Sequence, residues 1–196
     1  MTKSKLALIL ATLQLLLLLQ GCTAAVVGGA ATGASMAHDR RTMGSFIEDQ
    51  NIELKTASAI SSNKALGDRS HINVTSYNRI VLLTGETPTH ELRNQIQEIA
   101  RGIAQVRRIH NEITIAAPSA MSSRGSDTWI TTKVKTTLFK IKGMENFDAT
   151  RVKVVTENGV VYLMGILTQP EADAVVDTAR KVTGVKRVVK VFEYVN

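Results

Sequence analysis

Trp129 is the only tryptophan in the chain, and the stretch that holds it, SDTWITTKVKTTLFKIK (126–142), carries four lysines and no acid after Asp127. An indole prefers the boundary of an apolar layer, because its ring is apolar while its N–H wants a wet partner. Lysine stems lie along such a layer while their ammonium heads reach phosphates. Each lysine near an anionic surface contributes about 1 kcal/mol, screened by salt. The pattern asks for an anionic lipid interface, not for a reaction. At about 100° per residue, Ile130, Val134, Leu138 and Ile141 fall on one core stripe. Trp129, Lys133, Thr136 and Lys140 form another, roughly a quarter-turn or more away, with Thr128 and Thr132 beside them. Asp127 reads as the N-cap, which places Trp129 in the first turn. The bland alternative packs the indole on a neighbouring domain and leaves the lysines as a solvated face.

No other residues compete as chemistry. His38, His71, His90 and His110 lack metal-ligand spacing, and motifs for nucleophiles, phosphate loops and zinc are absent. The sequence therefore predicts no enzyme, no metal and no cofactor. Asp39-Arg40-Arg41 reads as the solvated end of a tether, and Gly85 and Gly165 as tight strand exits.

The chain opens MTKSK, runs apolar from Leu6 to Leu19, and reaches Gln20-Gly21-Cys22. A basic start followed by an apolar run too short to span a bilayer is the layout of a signal peptide. LLLLLQGC resembles the lipobox of bacterial lipoproteins. The resemblance implies that residues 1–21 are removed and that Cys22, the single cysteine, carries a diacylglycerol on sulfur and a third chain on nitrogen. Two such chains hold a protein stably to a membrane. Thr23 stands where an Asp would signal retention in the inner membrane, which implies the outer one. An exported lipoprotein meets little nucleic acid, so the mature excess of 22 basic over 17 acidic residues points to anionic headgroups. Residues 22–45 read as a lipidated flexible tether reaching roughly 25–30 Å.

The remainder repeats. HINVTSYNRIVLLTGETPTHE from His71 matches RVKVVTENGVVYLMGILTQPE from Arg151, aligning Asn78 with Asn158, Leu83 with Leu163, Gly85 with Gly165 and Glu91 with Glu171. ARGIAQVRRI matches ARKVTGVKRV further on, and DQNIELK matches DTWITTK upstream. Each copy shows an alternating strand, a turn with residues that accept positive φ, and an apolar run ending in glycine. A helix with apolar positions at 92, 96, 99 and 103, or at 172, 175, 179 and 182, comes next. A strand near 108–115 or 187–195 closes each unit. With its leading helix, each copy is α-β-β-α-β: an α+β fold with a small mixed sheet, at 46–116 and 127–196, joined by a linker at 117–126.

This unit, with V-x-L-x-G closing its second strand and G-V-K-R-V after its second helix, resembles the BON domain. VTENGVVYLMG and DTWITTKV behind a lipobox resemble the dual BON-domain outer-membrane lipoproteins. Gln105, where the second copy has Gly184, departs from the pattern. The resemblance implies a periplasm-facing lipoprotein that binds anionic phospholipid, phosphatidylglycerol or cardiolipin, through its second domain, associates with division sites and supports envelope integrity. Charge agrees with that asymmetry: 46–117 holds eight basic and eight acidic residues, 124–196 twelve and eight. Two rivals stand beside it. One is an adaptor for outer-membrane assembly proteins, with Trp129 in a protein contact. The other is a membrane-lytic factor, since some relatives carry a hemolysin label.

Overall fold

A computed structural model describes residues 39–118, 121–144 and 147–195. The signal segment, Cys22 and the tether as far as residue 38 lie outside the described residues. The first repeat opens with α1 (Met43–Ser62), whose N-cap Thr42 accepts a hydrogen bond from the Ser45 amide, and a one-turn α2 (Lys64–Gly67). β1 (His71–Tyr77) and β2 (Ile80–Thr87) make an antiparallel hairpin. After α3 (His90–Arg101), β3 (Arg108–Asn111) and β4 (Thr114–Ile115) pair in parallel with β2. The second repeat runs α4 (Met121–Leu138), a 3-10 turn at Ala149–Arg151, β5 (Lys153–Glu157), β6 (Val160–Leu167), α5 (Gln169–Ala179) and β7 (Arg187–Tyr194). Its strand order β5-β6-β7 repeats that of the first sheet, antiparallel then parallel. The α-β-β-α-β order expected from the repeat is present in both copies.

The two central strands read as unbroken apolar runs because both of their faces are buried. In β2, Val81 and Leu83 pack with Ile52, Leu92 and Ile96 from the helices. Ile80 and Leu82 point the other way, into a cluster with Tyr162, Met164 and Val191 of the second repeat. β6 divides in the same manner, with Val161, Leu163 and Leu167 toward Ile130, Val134, Leu138 and Val175. The sheets therefore stack back to back with helices on the outside, and Arg40–Asn196 is one compact unit.

The hairpin asparagines do more than turn the chain. Asn78 and Asn158 have φ of 50° and 51°, and each side chain donates to a glutamate of the other repeat, Glu193 and Glu86 respectively. Tyr77 donates its hydroxyl to the Arg151 carbonyl at 3.1 Å, and Lys153 bonds Glu53 at 2.6 Å. Gly85 answers to cross-strand crowding: at φ 113° a Cβ there would lie 1.9 Å from the His71 carbonyl oxygen. Gln105 adopts the same left-handed backbone as Gly184, with φ of 71° against 97°, so the departure in sequence leaves the turn in place.

Leu82→Ala tests the shared core, because the residue lies in the first repeat while the sole tryptophan lies in the second. Truncation in a packed core costs about 2–5 kcal/mol. Urea unfolding followed by Trp129 fluorescence is expected to shift by that amount and to coincide with the loss of circular dichroism. Two separate transitions would contradict a shared core.

Candidate functional site: the outer face of α4

Helix α4 begins at Met121, within the stretch expected to be linker. Asp127 is consequently not its N-cap, and Trp129 stands in the third turn instead of the first. The physical reason lies in the hairpin opposite. Two successive residues with positive φ turn their amides outward, and buried amides need acceptors. Asp127, 6% exposed, accepts from the Asn158 amide and the Gly159 amide, each at 2.8 Å. Asp49 does the same for Asn78 and Arg79 from within α1, each at 2.7 Å. The matched aspartates of DQNIELK and DTWITTK thus clamp the turns that follow them.

With one side of α4 in the core (Ile130, Val134 and Leu138, all buried), the opposite side is left to water. Trp129 is 50% exposed. One edge of its ring lies by the α5–β7 loop, where a Cβ on Gly184 would be 3.9 Å from Trp129 Cζ3. Lys133 Nζ sits 3.7 Å from the ring centroid, a cation–π contact. Thr128, Thr132 and Thr136 are exposed, yet their hydroxyls donate to the carbonyls of Arg124, Thr128 and Thr132 at 3.0, 2.9 and 2.8 Å. Such back-bonding satisfies the hydroxyls within the helix and leaves mainly methyl groups to meet a partner.

Phe139, 65% exposed in the turn that directly follows the helix, extends the stripe, and the sequence pattern did not single it out. The spacing 129, 132, 136, 139 is helical and places the two aromatics roughly 15 Å apart along the axis. Phe139 stands next to Leu138 and two residues before Ile141, both of the core stripe, so its type alone does not separate it from core. Lys133, Lys135, Lys140 and Lys142 are all exposed around the stripe. None of the four forms an ion pair among the described residues. Lys140 stands past the end of the helix, in the turn that follows it.

Beside this face, a cleft of about 610 Å³ lies between α4 and the edge strands β1 and β5, with Thr128, Thr132, Lys135 and Glu157 in its wall. Burial raises the Glu157 carboxyl above its ordinary range, the nearby Glu86 and Asp127 add to this, and hydrogen bonds from Asn73 and Thr84 oppose it. Among the described residues no group of histidine, cysteine or carboxylate side chains could hold a metal ion.

Residues 48–117 and 126–196 each match the BON domain. An outer membrane lipoprotein DolP of Haemophilus influenzae is 38% identical over 196 residues, the whole of both chains. A 21 kDa hemolysin of Actinobacillus pleuropneumoniae is 38% identical over 157 residues, 80% of this chain and 79% of that one. Among solved structures, CdsD, a structural protein of the Type III secretion system of Chlamydia trachomatis, aligns at 17% identity and TM-score 0.30. That match covers 75% of this chain and 63% of the other, and a score so low carries no argument.

Because the folded-state pKa of Glu157 is raised, its stabilising contribution is complete below the unfolded pKa and is lost as pH rises through the folded one. Glu157→Gln keeps an acceptor for Asn73 Nδ2, which donates to the carboxylate at 2.8 Å. Scanning calorimetry is expected to find the variant melting above the wild type near pH 8 and level with it near pH 4. A variant that melts lower at both would contradict a costly buried charge.

Proposed function

Because the chain belongs to the BON domain family, we propose that it is an outer-membrane lipoprotein, held by lipid on Cys22, that docks on anionic phospholipid through α4. The anchor and its membrane are supported by the lipobox-like LLLLLQGC and by the similarity to a protein named an outer membrane lipoprotein. The observation that carries the docking is the stripe of Trp129, Thr132, Thr136 and Phe139 within a rim of unpaired lysines. Two aromatics, 50% and 65% exposed among the described residues, form an apolar face with the threonine methyls between them. A ring of positive charge selects phosphatidylglycerol or cardiolipin over neutral lipid. Affinity need not be high, since a tethered site works at an effective concentration in the millimolar range. Orientation toward the periplasm, association with division sites and support of envelope integrity belong to the same proposal. No catalytic role is assigned.

A second reading rests on a different surface. Met43, Ile47 and Leu54 of α1 are 62%, 57% and 70% exposed and share one side of that helix at helical spacing. This favours a protein contact on the first repeat, as an adaptor for outer-membrane assembly proteins would have. The lytic reading draws only on the name of one relative. No helix among the described residues is long and apolar enough to cross a membrane.

Flotation of the mature chain, with Cys22→Ser to remove the acyl chains, tests the proposal. The protein is expected to float with vesicles containing phosphatidylglycerol and to stay behind with neutral ones. An interfacial indole contributes roughly 2–3 kcal/mol by area, so Trp129→Glu is expected to abolish flotation and Phe139→Glu to weaken it about tenfold. Unchanged flotation in both would remove α4 as the docking face. Vesicle leakage instead of flotation would revive the lytic reading, and crosslinking from position 54 to protein, with none to lipid from position 129, would favour the adaptor.

A further inference from the structure

Arg40 and Arg41 begin the folded unit and reach in opposite directions. Arg40 Nη1 donates to Glu171 Oε2 at 2.6 Å and to the Ile166 carbonyl at 3.0 Å, and its Nη2 donates to Glu171 Oε1 at 3.0 Å. This is a two-pronged grip on one carboxylate of the second repeat. Arg41 Nη1 donates to Asp49 Oδ2 of the first repeat at 2.8 Å. Its guanidinium lies 3.9 Å from the Tyr77 ring centroid and 5.3 Å from that of Phe46. The Arg41, Asp49 and Glu171 side chains are 9%, 4% and 6% exposed and that of Arg40 is 26% exposed, so these charges are held by partners and are not those of a solvated tether, as the sequence had suggested. Taking a guanidinium from water is costly unless its partner meets it in good geometry, and each arginine has such a partner.

Both partners already hold structure. Asp49 clamps the β1–β2 turn. Glu171 closes the capping box of α5 with Thr168, and Arg151 approaches it to 3.7 Å. We propose that Arg40 and Arg41 form a clasp that fastens the N-terminal end of the folded unit across both repeats, so that the chain enters this unit at a fixed point. Glu171 opens α5 just after β6, whereas Asp127 holds the turn that precedes β6 and Trp129 stands by the loop that leads into β7, parallel to β6. The clasp and the indole therefore lie toward opposite ends of an eight-residue strand, roughly 26 Å long. On the membrane reading above, on which this consequence alone rests, the second repeat is held at both ends and α4 lies along the surface. Arg40 and Arg41 are then positioning residues.

The test is limited trypsin digestion of the full chain in detergent, with cleavage after Arg41 and after Arg93 followed by mass spectrometry. Arg93, bonded to Asn111 from within α3, reports global opening. Arg40→Gln removes the grip, and Glu171→Gln removes its charge while glutamine can still serve a capping box. Each is expected to speed cleavage after Arg41 on the order of tenfold with cleavage after Arg93 unchanged, and the double variant to be no faster than either single. Arg40→Lys, which keeps charge but loses the fork, is expected to fall between. Wild-type rates in both glutamine variants, effects that multiply in the double variant, or equal acceleration at Arg93 would each overturn the clasp. Lipid takes no part in this readout, so failure of the docking proposal leaves it standing, and the reverse.

Discussion

Tyr77, Ile80 and Leu82 of one sheet meet Tyr162, Met164 and Val191 of the other, and that contact uses the face that each small sheet would otherwise show to water. A side chain of this size contributes about 1.5–3 kcal/mol when fully buried, so neither repeat can dispense with its partner's sheet. The polar groups around the contact follow from it. Asn78 and Asn158, placed at the turns by their tolerance of positive φ, are carried close enough to reach Glu193 and Glu86 across the interface. Asp49 and Asp127 then hold those turns from the helices behind.

Once the sheets are stacked, helices form the outside of the molecule, and the two leading helices differ. α1 presents an apolar stripe, and its carboxylates Glu48, Asp49 and Glu53 are paired with Arg79, Arg41 and Lys153. α4 and the turn after it present two aromatics, threonines whose hydroxyls bond back to the helix, and lysines without acidic partners among the described residues. An apolar stripe left in water is a cost that folding alone would remove, and such patches on monomers mark places where something else binds. The lysines around α4 are the reason for proposing an anionic surface as that something. Arg40 and Arg41 fix the start of the folded unit to both repeats, on Glu171 and Asp49, away from this face.

Local pattern made much of this legible. The repeat, the strand alternation, the turn asparagines and the outward position of the indole could all be read from residue types and spacing. Three things could not. The start of α4 was misplaced because an aspartate before an apolar helical stripe looks the same whether it caps that helix or reaches out to a turn some thirty residues later in the chain. The stacking of sheets was hidden because β2 and β6 are apolar on both faces, and a helix or a second sheet would satisfy such a strand equally. The grip of Arg40 on Glu171 joins residues 131 positions apart, with no local signal at either end. Phe139 lay in plain view, but among neighbours that belong to the core.

The position of Trp129 in the presence of anionic vesicles decides whether α4 docks on them. As the chain has a single tryptophan, its fluorescence can be read without other indoles. Vesicles of phosphatidylglycerol brominated at known depths along the acyl chain quench an indole by proximity. The expected result is a blue shift of Trp129 emission on mixing, with strongest quenching by the shallowest bromines, as befits a ring at the headgroup boundary. Emission that neither shifts nor quenches while the protein remains bound to the vesicles would contradict the docking of α4 and move the contact elsewhere on the molecule.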